Sequence, residues 1–177
     1  MKTPHHSYFS SFLFPLSSRK EGQALIESIV AASILTVGFL GLLSLLARSL
    51  SVNRVVADNY IATYLGAEGI EVVKNIIDTN ILQHRPWNQD IDQGNYEVEY
   101  NSRSLSSPFA GRTLFFDPVA DLYSYNDQGT VATPYTRKVS IELLDDEIRV
   151  ISHVSWVTRG GGTSAIDLED HFYNWRP

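Results

Sequence analysis

The chain contains no cysteine, and no Lys/Arg-rich stretch follows its N-terminal region. The absence of cysteine excludes disulfides, thiolate catalysis and thiolate metal ligands. The formal net charge is −6, from 20 acidic and 14 basic residues. An acidic chain without a basic patch is a poor match for the phosphates of a nucleic acid. We therefore expect no direct nucleic-acid partner.

Short catalytic motifs are also missing. The five histidines are scattered, and no His-x-x-x-His, Glu-x-x-His or Gly-x-Ser-x-Gly pattern occurs. Gly160–Gly162 precedes a predicted strand and lacks the Lys/Ser pair of a phosphate loop, so it predicts a tight turn. His153 is predicted on a solvent-facing strand position, and Trp156 and Trp175 in packing roles. We predict that the protein is not an enzyme.

One acidic segment is a candidate metal site. Residues 117–129 contain several oxygen-bearing side chains, which calcium prefers. Their spacing does not match an EF-hand loop, and a solvated acidic loop is the favoured interpretation. No cofactor is predicted, with calcium in this loop as the one weak alternative. The side chains concerned are Asp117, Asp121, Asn126 and Asp127, with Gly129 at the end of the segment.

A long apolar run occupies residues 24–47 and reads ALIESIVAASILTVGFLGLLSLLA, with Glu27 as its one ionisable side chain. About 20 apolar residues suffice to cross a bilayer. A charge inside such a run costs roughly 2.5–3.5 kcal/mol on insertion scales, so it marks a functional hypothesis. The alternative is a plain anchor helix in which Glu27 reaches the lipid headgroups. No Lys or Arg within the run can pair with Glu27.

The sequence RKEG, residues 19–22, stands directly before QALIE and the apolar run. This arrangement resembles the class III signal of type IV prepilins and type II secretion pseudopilins. The resemblance implies that a prepilin peptidase cuts between Gly22 and Gln23 and methylates the amine of Gln23. It implies that Glu27 serves assembly by pairing with the N-terminal amine of a neighbouring subunit. Gln23 departs from the Phe that the family usually has there. Arg19 and Lys20 would be the basic flank of the leader.

Residues 1–22 are accordingly interpreted as a leader peptide. An ordinary secretory signal centred on the mildly apolar segment 8–16 is the alternative, but the stronger apolar run follows the basic pair. Two basic residues lie near the run on each side, so charge alone does not fix orientation. The globular C-terminal part favours an N-terminus inside and a head outside the cytoplasmic membrane. The resemblance implies a bilayer, an inner-membrane assembly platform and other pilin or pseudopilin subunits as partners.

The helical pattern continues beyond the run. We predict one helix from Gln23 to about Asp78, with residues 23–47 in the membrane or filament core and residues 48–78 amphipathic. Gly38 and Gly41 either permit close helix contacts in the membrane or let the helix unwind locally. Gly66 and Gly69 predict close packing of a sheet on the helix. The predicted apolar stripe consists of Ala62, Leu65, Gly69, Val72 or Val73, and Ile76, with Glu68, Glu71, Lys74 and Asp78 facing elsewhere.

The remainder alternates in the way that strands do. Residues 95–100 predict a short strand within an irregular segment, 79–134, in which we expect subunit contacts or surface display. Residues 135–177 predict an antiparallel meander with strands at 137–144, 147–158 and 163–169. The fold class is therefore α+β, a long N-terminal helical spine against a C-terminal antiparallel sheet, as in pilins.

These features predict a structural subunit of a type IV pilus-like or pseudopilus filament. Gln23 and the irregular segment favour a minor or initiating subunit. After cleavage the chain would have 11 basic and 19 acidic residues, a net charge of −8. The alternative is a single-span anchor that carries an extracytoplasmic binding domain. A secreted enzyme held by an uncleaved signal has no catalytic motif to support it.

Overall fold

A computed structural model describes residues 18–174 of the chain, with side chains from Gly22 onward. The predicted leader residues 1–17 and Trp175 lie outside the described residues. The chain divides into two compact units, with the boundary between Val52 and Asn53. The described part contains one helix, α1 (Ser18–Leu82), and six strands: β1 (Gly94–Tyr96), β2 (Thr113–Asp117), β3 (Leu122–Ser124), β4 (Val131–Leu144), β5 (Glu147–Val157) and β6 (Thr163–Tyr173).

The first unit contains the N-terminal part of α1, up to Val52. Every side chain described in it is exposed within the chain. The apolar run therefore forms a helix, as predicted, and among the described residues of this unit nothing covers its side chains.

The second unit is an α+β head, which confirms the predicted fold class. Residues 53–82 of α1 lie against one face of a single antiparallel sheet with the order β3-β2-β4-β5-β6. β1 pairs with β4 beside β2. β4, β5 and β6 form the predicted meander, with Arg137 opposite Val154 and Val154 opposite Ile166.

The predicted helix stripe is buried under the sheet. Ala62, Leu65, Val73 and Ile76 are at most 5% exposed. Two apolar clusters follow from this packing, one around Val73 and Val139 and one around Leu65 and Trp156. Trp156 is a core residue, as predicted, with 3% of its surface exposed.

Gly66 and Gly69 were predicted to allow close packing of the sheet on the helix, and the space around them confirms this. A Cβ on Gly66 would stand 2.8 Å from Leu168 Cδ1. A Cβ on Gly69 would stand 2.6 Å from Ser152 Oγ and 3.0 Å from Val139 Cγ2. Real Cβ atoms do not approach other atoms so closely. At Gly69 the sheet therefore lies at a distance that glycine permits, whereas at Gly66 the end of the flexible Leu168 side chain is the group that would have to move.

The helix ends at Leu82, four residues later than predicted. Its end is a Schellman motif: Arg85 N–H donates to the Asn80 carbonyl at 2.9 Å, and His84 N–H donates to the Ile81 carbonyl at 3.1 Å. His84 takes a left-handed φ of 58° at the position where this motif requires it. Asn80 stays helical and buried because its amide donates to the carbonyl of Gln89 at 2.7 Å.

Segment 79–134 contains more regular structure than the single short strand predicted there. β1, β2 and β3 lie within it, and β4 begins at Val131. Pro134 lies inside β4, although proline is unfavourable in the interior of a strand. The register between β2 and β4 shifts between Thr113 and Phe115, and Pro134 falls within the resulting irregularity. A proline has no N–H to donate, so it is tolerated where the ladder is interrupted.

The predicted strand at 95–100 is cut short after Tyr96 because Glu97 turns inward. Glu97 is 4% exposed, and its carboxylate accepts hydrogen bonds from the backbone N–H groups of Ala110 and Arg112. Arg112 Nε adds an ion pair at 2.6 Å. Val98 is buried next to it, but Tyr100 is exposed, so the predicted alternation fails after Val98.

Candidate functional site

The apolar surface of α1 before Val52 is the most unusual surface of the described chain. The large apolar side chains between Leu25 and Leu46 are 46–72% exposed. An exposed apolar patch of more than a few hundred Å² marks an interaction with protein or membrane. The helix is long and apolar enough to cross a membrane, and none of its most apolar window is buried within the chain.

Three hydroxyl groups of this helix donate hydrogen bonds to its own main chain. Ser28 Oγ donates to the Ala24 carbonyl at 2.8 Å, and Ser33 Oγ donates to the Ile29 carbonyl at 2.7 Å. Thr36 Oγ1 donates to the carbonyl of Ala32 at 2.7 Å. These three hydroxyl donors are hydrogen-bonded within the helix, so they need no partner from lipid or from another chain.

Glu27 is different, because no neighbouring side chain on the helix can neutralise it. Residues three and four positions away on a helix are its surface neighbours. For Glu27 these are Gln23, Ala24, Val30 and Ala31, none of which is charged. The carboxylate is exposed within the chain and projects from an otherwise apolar surface. A partner for its charge must therefore come from another molecule, from solvent or headgroups, or from a new charge on this chain.

The predicted cleavage point lies within the same helix. Gly22 and Gln23 are helical, and nothing lies within 4 Å of a Cβ placed on Gly22. Glycine is about 1 kcal/mol worse than alanine in a helix, so local opening at this bond costs less than at its neighbours. The backbone of Arg19 and Lys20 is helical, and their side chains lie outside the described residues.

The two mid-helix glycines have open space where a side chain would begin. A Cβ on Gly38 or Gly41 would meet nothing within 4 Å. Both predicted roles, close helix contact and local unwinding, stay predictions.

The acidic segment 117–129 uses its side chains to close its own turns. Asp117 Oδ1 accepts hydrogen bonds from Val119 N–H at 2.8 Å and Ala120 N–H at 3.1 Å. Asn126 Oδ1 accepts from Gln128 N–H at 3.1 Å. Across residues 18–174, no group of three or more His, Asp or Glu side chains is placed to hold a metal ion.

The sheet face opposite the helix carries a row of ion pairs. Arg149 bridges Glu142 and Glu169 at 3.0 and 2.7 Å. His171 contacts Glu147 and Glu169, and hydrogen bonding to Glu147 raises the pKa of the imidazole. His153 lies on the same face, 2.6 Å from Asp167, in agreement with its predicted solvent-facing position. These pairs connect neighbouring strands, and we assign them no catalytic role.

The buried guanidinium of Arg137 was missed by the sequence analysis. Arg137 is fully buried, and it donates to the carbonyls of Leu65 at 2.9 Å and Val98 at 2.5 Å. Its Nη1 lies 3.2 Å from Glu68 Oε1, so Glu68 is partly buried rather than facing away as predicted. The alternation from Arg137 to Val139 and Ile141 was the available signal, since it places Arg137 on the core face.

Comparisons with protein-family models, with curated proteins and with solved structures find no match to this chain.

Proposed function

We propose that the chain is a structural subunit, and a minor one, of a type IV pilus-like or pseudopilus filament. The observation that carries the proposal is Glu27, a lone carboxylate on an exposed, membrane-length helix, five residues after Gly22. The helix then continues into the head as the element on which the sheet packs. Subunits of such a filament would meet by head-to-tail contacts, which generate open helical assemblies.

Cleavage after Gly22 would supply the missing charge partner. It converts the neutral peptide nitrogen of Gln23 into a cationic amine, and it moves Glu27 close to a helix N-terminus, whose partial positive charge favours carboxylates. A neighbouring subunit's amine would then neutralise Glu27 in the apolar filament core. The amine of the same chain lies at the i−4 position and is the competing partner.

The same proposal covers location and partners. The precursor would lie in the cytoplasmic membrane with Arg19 and Lys20 inside and the head outside. Prepilin peptidase would act on it, and an inner-membrane assembly platform would move it into an extracytoplasmic filament with other pilin or pseudopilin subunits. The protein would be a substrate of an enzyme and not an enzyme itself.

The cleavage step is tested with Gly22→Ala in cells that contain a prepilin peptidase. Nothing within 4 Å opposes the added methyl group, so the variant should fold and insert normally. We expect the wild-type protein to migrate faster on a gel than the variant, by the mass of residues 1–22. Equal migration of the two proteins would refute the processing claim.

The assembly step is tested with Glu27→Ala, and Ser33→Ala is its matched control. Both substitutions remove a polar group from the same apolar surface, but the Ser33 hydroxyl is satisfied by its own helix. We expect Glu27→Ala to be processed and inserted but absent from sheared filaments, while Ser33→Ala assembles.

The alternative is a single-span anchor with an extracytoplasmic binding domain. It is favoured by the same exposed helix, since an anchor needs only length and apolar character. In that case Glu27→Ala would leave both assembly and partner recovery intact. The two candidate functions therefore predict opposite results for one variant.

A further inference from the structure

A cleft of about 700 Å³ lies in the head between α1 and the hairpin formed by β2 and β3. Its volume is within the range of ligand sites, roughly 300–1,000 Å³. The filament proposal gives this cleft no role, and the anchor alternative does not identify the surface through which its domain would bind. The side chains that decide its chemistry are Tyr60, Tyr64 and Glu71 from α1, and Phe116, Asp121 and Tyr123 from the hairpin side.

The two walls of the cleft are aromatic. On α1, Tyr60 and Tyr64 have ring centroids 4.7 Å apart, and their hydroxyls are hydrogen-bonded at 3.0 Å. On the hairpin, Phe116 and Tyr123 have ring centroids 5.1 Å apart. Tyr60 and Tyr64 remain 62% and 60% exposed, although large aromatic side chains are usually covered in a folded domain. The rings are therefore available to a partner.

Carboxylates accompany these rings, and no Lys or Arg is among the residues that line the cleft. Glu71 and Asp121 are exposed, whereas Glu68 forms an ion pair with the buried Arg137. The negative charge of these carboxylates also acts on the aromatic side of the cleft. Burial raises the pKa of Tyr123, and the charges of Asp121 and Glu68 raise it further. A cleft with negative charge and π-faces favours a cation.

We propose that this cleft binds an arginine or lysine side chain presented by a different polypeptide. A cation over an aromatic face gains from the ring quadrupole, and the carboxylates add a charge-assisted contact. The head already uses such a pairing internally, because the Arg112 guanidinium lies 4.5 Å from the Tyr125 ring centroid.

Charge identifies the partner as a different chain. After residue 22 the sequence has 19 acidic and 11 basic residues, so a second copy would bring like charge to an acidic cleft. Several basic side chains of the head already form ion pairs within the chain, among them Arg112, Arg137 and Arg149. A basic segment of another protein fits the cleft without this repulsion. This inference does not depend on how the apolar part of α1 is used.

The test uses the full chain in neutral-lipid nanodiscs and a set of acetylated nonapeptides with a central Arg or Lys between apolar residues. Each Arg peptide has a twin with citrulline, which keeps the shape and removes the charge. We expect Arg peptides to bind roughly tenfold or more tightly than their twins. Binding should weaken as salt is raised, because exposed charges are screened.

Variants separate a cation site from an apolar groove. Tyr64→Phe keeps a π-face and should retain binding, whereas Tyr64→Leu keeps apolar bulk and should lose it. Glu71→Gln should weaken Arg and Lys peptides but not citrulline peptides. Tyr100→Leu and Asp145→Asn, at exposed positions outside the cleft, are the matched controls and should bind as the wild type does. Circular dichroism checks that each variant is folded.

Five results would overturn the proposal. The first four are equal affinity for Arg and citrulline peptides, binding unchanged in Tyr64→Leu, no binding by any peptide of the set, and concentration-dependent self-association that Tyr64→Leu abolishes. The fourth would assign the cleft to a second copy. Displacement of the peptides by tetramethylammonium at equal concentration would instead assign it to a small organic cation and refute a polypeptide partner.

Discussion

Arg137 Nη1 on β4 donates a hydrogen bond to the main-chain carbonyl of Leu65 on α1 at 2.9 Å. Gly69 makes this contact possible, because a Cβ there would stand 3.2 Å from Arg137 Cδ. The guanidinium thus reaches a helix carbonyl that an ordinary side chain would shield. Its second nitrogen binds the carbonyl of Val98, so one side chain connects the helix, β4 and the segment after β1.

Replacing Arg137 with Met keeps a long side chain but removes the charge and both donors. Glu68 Oε1 is buried and has no hydrogen-bond partner, so the variant would remove the guanidinium that lies 3.2 Å from it. Removing one member of a buried pair costs about 3–5 kcal/mol, and the lower end of this range applies here because the Glu68 side chain is 29% exposed and can be solvated. We expect a loss of this size in the free energy of unfolding by urea, followed by tryptophan fluorescence in detergent micelles. Arg159→Met, on the exposed β5–β6 turn, is the control, and an equal effect of both variants would contradict this account.

Gly69→Ala tests the close approach of the sheet. Alanine gains up to about 1 kcal/mol in helix propensity. Its methyl group, however, would stand 2.6 Å from Ser152 Oγ, and overpacking costs typically 1–3 kcal/mol. We expect net destabilisation of the head in the same urea assay. Gly38→Ala, where the methyl group meets nothing, should leave head stability unchanged; a stabilised Gly69→Ala variant would show that the sheet can move away at little cost.

The lowered pKa of Glu97 predicts that the head loses stability in acid. Burial alone would raise the pKa of this carboxyl, but hydrogen bonds and charge from Arg112, with the Ala110 N–H, lower it below its ordinary value of 4.5. The unfolded chain therefore binds its proton at higher pH than the folded chain does. The stabilisation is complete above pH 4.5 and is lost as pH falls through the lower folded-state pKa.

Glu97→Gln should remove this contribution. Hydrogen bonds to a charged group are worth about 1.5–3 kcal/mol, so we expect a loss of that order at pH 7. The stability curves of variant and wild type should converge as the pH falls below 4.5 and through the lower folded-state pKa, because the wild-type carboxyl is then protonated in the folded chain as well. Asp145→Asn, an exposed turn residue, should leave the curve unchanged. Parallel curves for Glu97→Gln and wild type would show that Glu97 does not titrate with folding.

Periodicity in the sequence predicted the parts of the fold that depend on local patterns. Ala62, Leu65 and Ile76 recur at helical spacing and are buried, and the strands that pair across β4, β5 and β6 alternate as expected. Gly66 and Gly69 interrupt a helix at an energetic cost, which correctly indicated close packing. Such features are visible because each residue's role follows from its neighbours in the chain.

Residues whose partners are distant in sequence were not predictable in the same way. Glu97 is buried because Arg112 folds back over it, and Arg137 is buried because Leu65 and Val98 offer carbonyls to it. Read alone, each is a polar residue in a strand pattern. Glu27 is the opposite case, since the apolar run makes it conspicuous in the sequence but the described chain contains no charged residue at helical spacing from it.

The central claim is that Gly22 is a cleavage point that frees the amine of Gln23 for pairing with Glu27 during assembly. The most direct measurement is the intact mass of the protein extracted from membranes of cells that contain a prepilin peptidase. We predict a mass that begins at Gln23, with or without one added methyl group. A protein that still carries residues 1–22, or one cut at another bond, would contradict the account.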